Sequence, residues 1–224
     1  MPRPRSAKRV VKRVAPKRRV IRRLENDERR AQLLALGRAA FASHPYDEVS
    51  IDELARKAKI SKGLFYYYFP TKRDLYIEGL RDTSAGLVLK LTNVPRDLAP
   101  RERVIAAVDA YLESVAIQGS AFVALMRGGI GSDPEVAKVV EGVRLGILNE
   151  FLTGAPISAL LKTRAISPVA IRGWIGMVEA ASIEWLVHPE LPREPVRELL
   201  VDSLFDLLTR VLGAEDSVRF RTSR

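Results

Sequence analysis

The chain has 224 residues, 47% of them apolar, with no cysteine and two histidines; it is long enough for one well-cored domain plus a smaller one. Disulfides and thiolate metal sites are excluded, no apolar run approaches the roughly 18 residues of a membrane span, and no secretory signal follows the basic N-terminus. The net charge of +10 is unevenly placed, because residues 1–24 carry eleven Lys or Arg and no acid, while the remaining 26 basic residues face 27 acidic ones.

Residues 1–22 read as a mobile basic arm: Pro2, Pro4 and Pro16 stand among charges with little apolar mass to offset the ordering of the backbone. From Lys17 the pattern turns helical. Val20, Ile21, Leu24, Leu33, Leu34 and Phe41 recur at helical spacing, and this first helix is expected to stop before His44-Pro45, since a residue preceding proline avoids the α region. Ser50, with Glu53 three residues on, predicts a capped two-turn helix with an apolar stripe at Ile51, Leu54, Ala55 and Ala58. Ser61 repeats the cap for a third helix in which Leu64, Phe65, Tyr68 and Phe69 are the expected buried or half-buried set, closed by Pro70. Thr71 caps a fourth, running to about Leu91.

Beyond a loop at 93–100, helices are expected over 101–118, 119–128, 133–153, 156–162, 167–187 and 194–213, with Gly and Pro as punctuation. No alternating strand pattern is visible, so the fold class is all-α. The Gly128-Gly129-Ile130-Gly131 run lacks the Lys-Ser/Thr of a phosphate loop and reads as a helix break. Neither a catalytic constellation nor a metal-ligand or cofactor motif is present, which argues against an enzyme.

The second and third helices carry the functional signal. In a helix-turn-helix the first helix braces on the phosphate backbone while the second enters the major groove. The N-termini at Ser50, Ser61 and Thr71 offer hydroxyls and free N–H groups suited to phosphate, or serve only as caps, and Lys62 and Lys72 adjoin two of them. This segment resembles the N-terminal domain of TetR-family transcriptional regulators over about residues 27–80. The likeness rests on Ser50-Ile51, Leu54-Ala55, Ala58, Ile60-Ser61-Lys62-Gly63, Tyr66, Tyr68-Phe69-Pro70-Thr71-Lys72 and Leu75, with Arg30, Leu33, Leu34 and Phe41 upstream. One departure is Lys59 in the inter-helix turn, where the family usually has glycine; a positive φ there would cost on the order of 1 kcal/mol, and Lys59 adds a candidate phosphate contact.

The resemblance implies that Lys62, Gly63, Leu64 and Tyr67 face the groove, with Tyr66, Lys72, Ser50 and Ser61 on phosphates, and Thr71 beside them. Phe65 and Phe69 are expected in the core; Tyr68 is left open. Arg18, Arg19, Arg22 and Arg23 are candidate contacts from the arm, which in other DNA-binding domains enters a minor groove.

It further implies an organisation into the arm (1–22), a three-helix DNA-binding domain (23–72), a helical effector-binding and dimerisation domain (73–215) and a tail (216–224). Phe122, Met126, Arg127, Ile147, Trp174, Met177 and Val178 are candidate ligand-pocket residues. Arg127, Glu179 and Glu184 lie in apolar helical stretches, where they pair, lie exposed or meet a polar effector group. The two last long helices, from Ile171 to Leu186 and from Leu199 to Val211, would build a four-helix interface with a second copy. The expected protein is thus a cytoplasmic homodimeric regulator of double-stranded DNA, a repressor released from a palindromic operator by a small molecule. The alternative is an architectural DNA binder dominated by its arm, without an effector.

Overall fold

The computed structural model describes residues 17–95, 97–127, 129–154 and 157–213, with side chains in the first helix described from Asn26 onward. The described residues form α1 (Lys17–Ser43), α2 (Ile51–Lys57), α3 (Lys62–Tyr68), α4 (Lys72–Thr92), α5 (Pro100–Arg127), α6 (Pro134–Asn149), α7 (Ser158–Lys162), α8 (Ser167–Leu186) and α9 (Arg193–Leu212). The all-α class is borne out, and no described residue lies in a strand. Among the described residues no helix is long and apolar enough to cross a membrane.

Local chemistry explains most boundaries. α1 ends at Ser43, just ahead of the His44-Pro45 step. Ser50, Ser61 and Thr71 adopt extended backbone, and their hydroxyls accept from the N–H groups of Glu53, Leu64 and Asp74. The break expected at 118–119 falls at Gly119, whose φ of 45° and ψ of −117° kink α5 without ending it. The helix expected to continue to 153 instead changes at Asn149 into a π-helical turn, Glu150–Gly154.

Apolar side chains divide between two cores. The first joins Leu33 and Phe41 of α1, Leu54 of α2, Phe65 and Phe69 around α3, and Leu75 of α4. The second joins Leu112 and Val115 of α5, Leu161 of α7, Ile171 and Trp174 of α8, and Leu200 and Leu204 of α9. α4 packs on α1, α5 and α6 and so connects the two. Arg30–Glu78 and Arg38–Asp82 tie it to α1. Arg73, bonded to both oxygens of Asp133 at 2.6 and 2.8 Å, and Arg81, 2.9 Å from Glu135, tie it to the start of α6.

Lys59 has a φ of 55°, the left-handed conformation that L side chains adopt at a cost. Replacing it with glycine is expected to stabilise the protein by about 1 kcal/mol. Urea unfolding with an unchanged slope and a higher midpoint is the expected result; an unchanged or lower midpoint would show that the turn is unstrained.

Candidate nucleic-acid interface and effector cavity

α3 holds its neighbours by burying Phe65 completely and Phe69 almost completely, which turns the rest of the helix outward. Leu64, placed by the apolar spacing in the buried set, is exposed, and so are Tyr66 and Tyr67, Tyr67 by 70%. Nothing lies within 4 Å of a Cβ built at Gly63, so this part of the helix surface is open to close approach. Lys62 lies on the same outer surface with its Nζ 2.8 Å from Asp52 on α2, and that partner raises its pKa. Lys59, Ser61 and Thr71 are exposed and Ser50 is half-buried.

The three hydroxyls are engaged as caps: Ser50 Oγ accepts at 3.5 Å, Ser61 Oγ at 3.1 Å and Thr71 Oγ1 at 3.0 Å. Lys72 points back, with its Nζ donating to the Asp47 carbonyl at 3.2 Å and lying 4.5 Å from the Tyr46 ring centroid. A phosphate contact from Lys72 would require this side chain to swing. Tyr68, left open by the sequence, donates its hydroxyl to Asn26 Oδ1 at 2.9 Å. That bond brings α1 beside the end of α3. Residues 1–16 and 214–224 lie outside the described residues, as do the side chains of Arg18, Arg19, Arg22 and Arg23, whose backbone belongs to α1. The segment 17–22, read from sequence as part of the arm, is helical.

The body contains a cavity of about 140 Å³ between α4, α5, α6 and α8. Of the candidate pocket residues, Ile147, Trp174 and Val178 line it; Phe122, Met126, Arg127 and Met177 do not. Phe122 is instead buried edge-on to Tyr111, and Met126 packs at the margin of the second core. Met177 is 38% exposed, because two residues beyond Ile175 is nearly the opposite side of the helix from it. Arg127 is exposed and sits 3.9 Å from the exposed Glu184. Glu179 lies at the cavity but is bound at 2.8 Å through both its oxygens by Arg144.

Sequence reasoning missed Arg103 and Glu150, which line the cavity, and the Arg73–Asp133 tie. Glu150 stands in an apolar stretch as Glu179 does, a signal that names no partner, while Arg73, Arg103 and Asp133 stand beside other charges or at a helix cap and nothing local sets them apart. The Arg73 guanidinium lowers the Asp133 carboxyl to about 2, aided by the N–H groups of Glu135 and Val136 and opposed by desolvation. The folded-state pKa lies below the ordinary 3.8, so this tie's stabilisation is complete above that value and is lost as pH falls through about 2. Carbon-detected NMR should give an Asp133 midpoint near 2 that moves toward 3.8 in Arg73→Gln; a midpoint already near 3.8 in the unaltered chain would show the pair unformed.

Comparisons with known proteins agree with this geometry. Residues 33–78 match the family model described as "Bacterial regulatory proteins, tetR family", and residues 100–207 match "Tetracyclin repressor-like, C-terminal domain". The chain is 30% identical over 120 residues to the HTH-type transcriptional activator FasR of Mycolicibacterium smegmatis, covering 53% of this chain and 55% of that protein. It is 33% identical over 105 residues to the HTH-type transcriptional regulator HbdR of Aromatoleum sp., covering 45% and 44%. The matched region spans about half the length of these curated relatives. The crystal structure of a tetR-family transcriptional regulator from Streptomyces coelicolor superposes with a TM-score of 0.73 at 30% identity, covering 87% of each chain.

Proposed function

Because the chain belongs to the TetR family of bacterial regulators, we propose that it is a homodimeric, sequence-specific DNA-binding transcription regulator, a repressor released from its operator by a small molecule held in the body cavity. One observation carries this reading: α4 begins at the Thr71 cap that closes the α3 unit, and its last turn, with Leu91 and Thr92, forms part of the cavity wall. A single helix therefore touches both the reading head and the ligand space. Another cavity wall, α6, contributes Ile147 near its C-terminal end and is tied to α4 at its N-terminal end through Asp133 and Glu135.

A ligand that favours a different spacing of α4 and α6 would tilt the two α3 helices out of register. A coupling of about 1 to 3 kcal/mol suffices. Lys62, Gly63, Leu64 and Tyr67 meet base edges in this reading, with Ser50, Lys59, Ser61, Tyr66, Thr71 and Lys72 on the backbone side and the arm arginines 18, 19, 22 and 23 adding charge.

Dimerisation is proposed through α8 and α9. Ile171, Trp174, Ile175, Val178, Leu200, Leu204 and Leu208 are buried within their own chain, so the pairing face is the remainder of α8: Val169, Gly173, Gly176, Met177 and Ala180 are exposed along one side. A Cβ at Gly173 or Gly176 would meet nothing within 4 Å. Two copies joined there would present two α3 helices for successive major grooves about 34 to 36 Å apart.

The deciding experiment is selection of bound duplexes from a random pool at about 150 mM salt, with full-length and arm-deleted protein. A shared palindrome is expected from both. No motif from either would favour an architectural binder governed by its arm.

A further inference from the structure

Most polar groups at the cavity are satisfied within the protein. Trp174 Nε1 donates to the Leu200 carbonyl at 3.0 Å, Thr92 Oγ1 to the Val88 carbonyl at 2.9 Å, and Glu179 is held by Arg144. Two atoms are not. Arg103 Nε on α5 and Glu150 Oε1 at the start of the π turn are buried without a hydrogen-bond partner, and both residues line this cavity. Among the described residues only four buried side-chain polar atoms lack a partner, so finding two of them at one apolar cavity needs a physical reason. Leaving a buried donor or acceptor unpaired is costly, and more so on a charged group.

The Glu150 carboxylate is also built into its position. A Cβ at Gly154 would sit 2.2 Å from its Oε2, so a side chain there would push the carboxylate out of this position. The π turn that begins at Glu150 is a geometry that recurs at functional sites.

We propose that the cavity binds a compact, neutral, largely apolar molecule through a head group that both donates and accepts a hydrogen bond, the simplest being a primary carboxamide. This rests on the effector reading above and assigns the ligand's chemistry. Both unpaired atoms are covered, so the two side chains turn slightly toward the ligand: its carbonyl then accepts from Arg103 Nε–H and its N–H donates to Glu150 Oε1. A guanidinium and a carboxylate sum to zero charge, so a neutral ligand leaves the cavity balanced, whereas a carboxylate ligand would gain Arg103 but face Glu150. The volume of about 140 Å³ is close to that of a cavity known to hold one benzene. One ring or a short branched chain, with its head group, is the size that fits.

The test uses the full-length protein and four probes of similar bulk: benzamide, which donates and accepts; acetophenone, which only accepts; benzoate, an anion; and toluene, which does neither. Binding is read by calorimetry and by the fluorescence of Trp174 in the cavity wall. Benzamide is expected to bind at least about tenfold more tightly than each of the others, the equivalent of one hydrogen bond to a charged group. In Glu150→Gln the preference of benzamide over benzoate should narrow by a similar factor, since the repelling charge is gone. A preference below tenfold against any of the three, or no saturable binding of benzamide, would overturn the assignment. The four-probe ranking in the unaltered chain decides this even if the variant does not fold. Operator affinity is measured separately with and without benzamide: selective binding that leaves it unchanged keeps the head-group assignment and refutes the effector reading.

Discussion

Deleting residues 1–22 is expected to remove most of the salt dependence of operator binding. That segment holds ten Lys or Arg and no acid, and the rest of the chain is close to neutral. Each phosphate neutralised releases counterions and adds about −0.9 to the slope of log affinity against log salt. If six to ten of these cations reach phosphates, the full-length protein should lose a factor of about 10³ to 10⁵ between about 50 and 200 mM salt. The truncated chain keeps what builds the reading head: Leu33 and Phe41 of α1 lie in the first core, and the Asn26–Tyr68 bond that brings α1 beside α3 is retained. It should therefore recognise the same sequence with lower affinity and a much flatter slope. Fluorescence anisotropy across a salt series checks this, and equal slopes for the two proteins would mean that the arm does not touch DNA.

The second large effect separates folding from reading within one seven-residue helix. Phe65 is fully buried and its ring centroid lies 6.1 Å from that of Phe69. Phe65→Ala removes the largest buried side chain of α3 and leaves a cavity at the junction of α1, α2 and α4, a loss of about 3 to 5 kcal/mol. That is comparable to the whole stability of a small helical unit. Operator binding should disappear while the second core, which α5, α7, α8 and α9 build separately, still supports dimerisation in sedimentation. Tyr67→Ala, two residues on and 70% exposed, should leave the unfolding midpoint within about 0.5 kcal/mol of the parent. It should weaken operator binding by about 1 to 3 kcal/mol if the ring meets a base edge. A variant pair with the opposite pattern, Tyr67→Ala unfolding and Phe65→Ala still binding, would reverse the orientation assigned to α3.

Much of the architecture was legible because it is written in short-range chemistry. The caps at Ser50, Ser61 and Thr71, the stop at His44-Pro45 and the interruption at Gly119 all act within a few residues, and helix boundaries follow them to within one or two positions. The π turn after Asn149 escaped, since the apolar spacing through Leu152 suits an uninterrupted α-helix equally well. Phe65 and Phe69 could be assigned to the core because they stand four residues apart, one helical turn, at the end of α3. Met177 could not be told from Val178 as a cavity residue, because α8 is apolar nearly all round and its phase depends on what packs against it.

By itself, then, the sequence determined an all-α chain with a helix-turn-helix near its basic end, since periodicity, caps and charge runs are local properties. It also carried the family resemblance that the comparisons bear out. Only the tertiary structure decided which charges meet: Arg73 with Asp133 lies 60 residues apart, Arg144 with Glu179 lies 35 apart, and Arg103 and Glu150 come to one cavity without a partner. Such pairings depend on helix crossings, and a helix crossing is set by the packing of side chains remote in sequence, which no local pattern encodes.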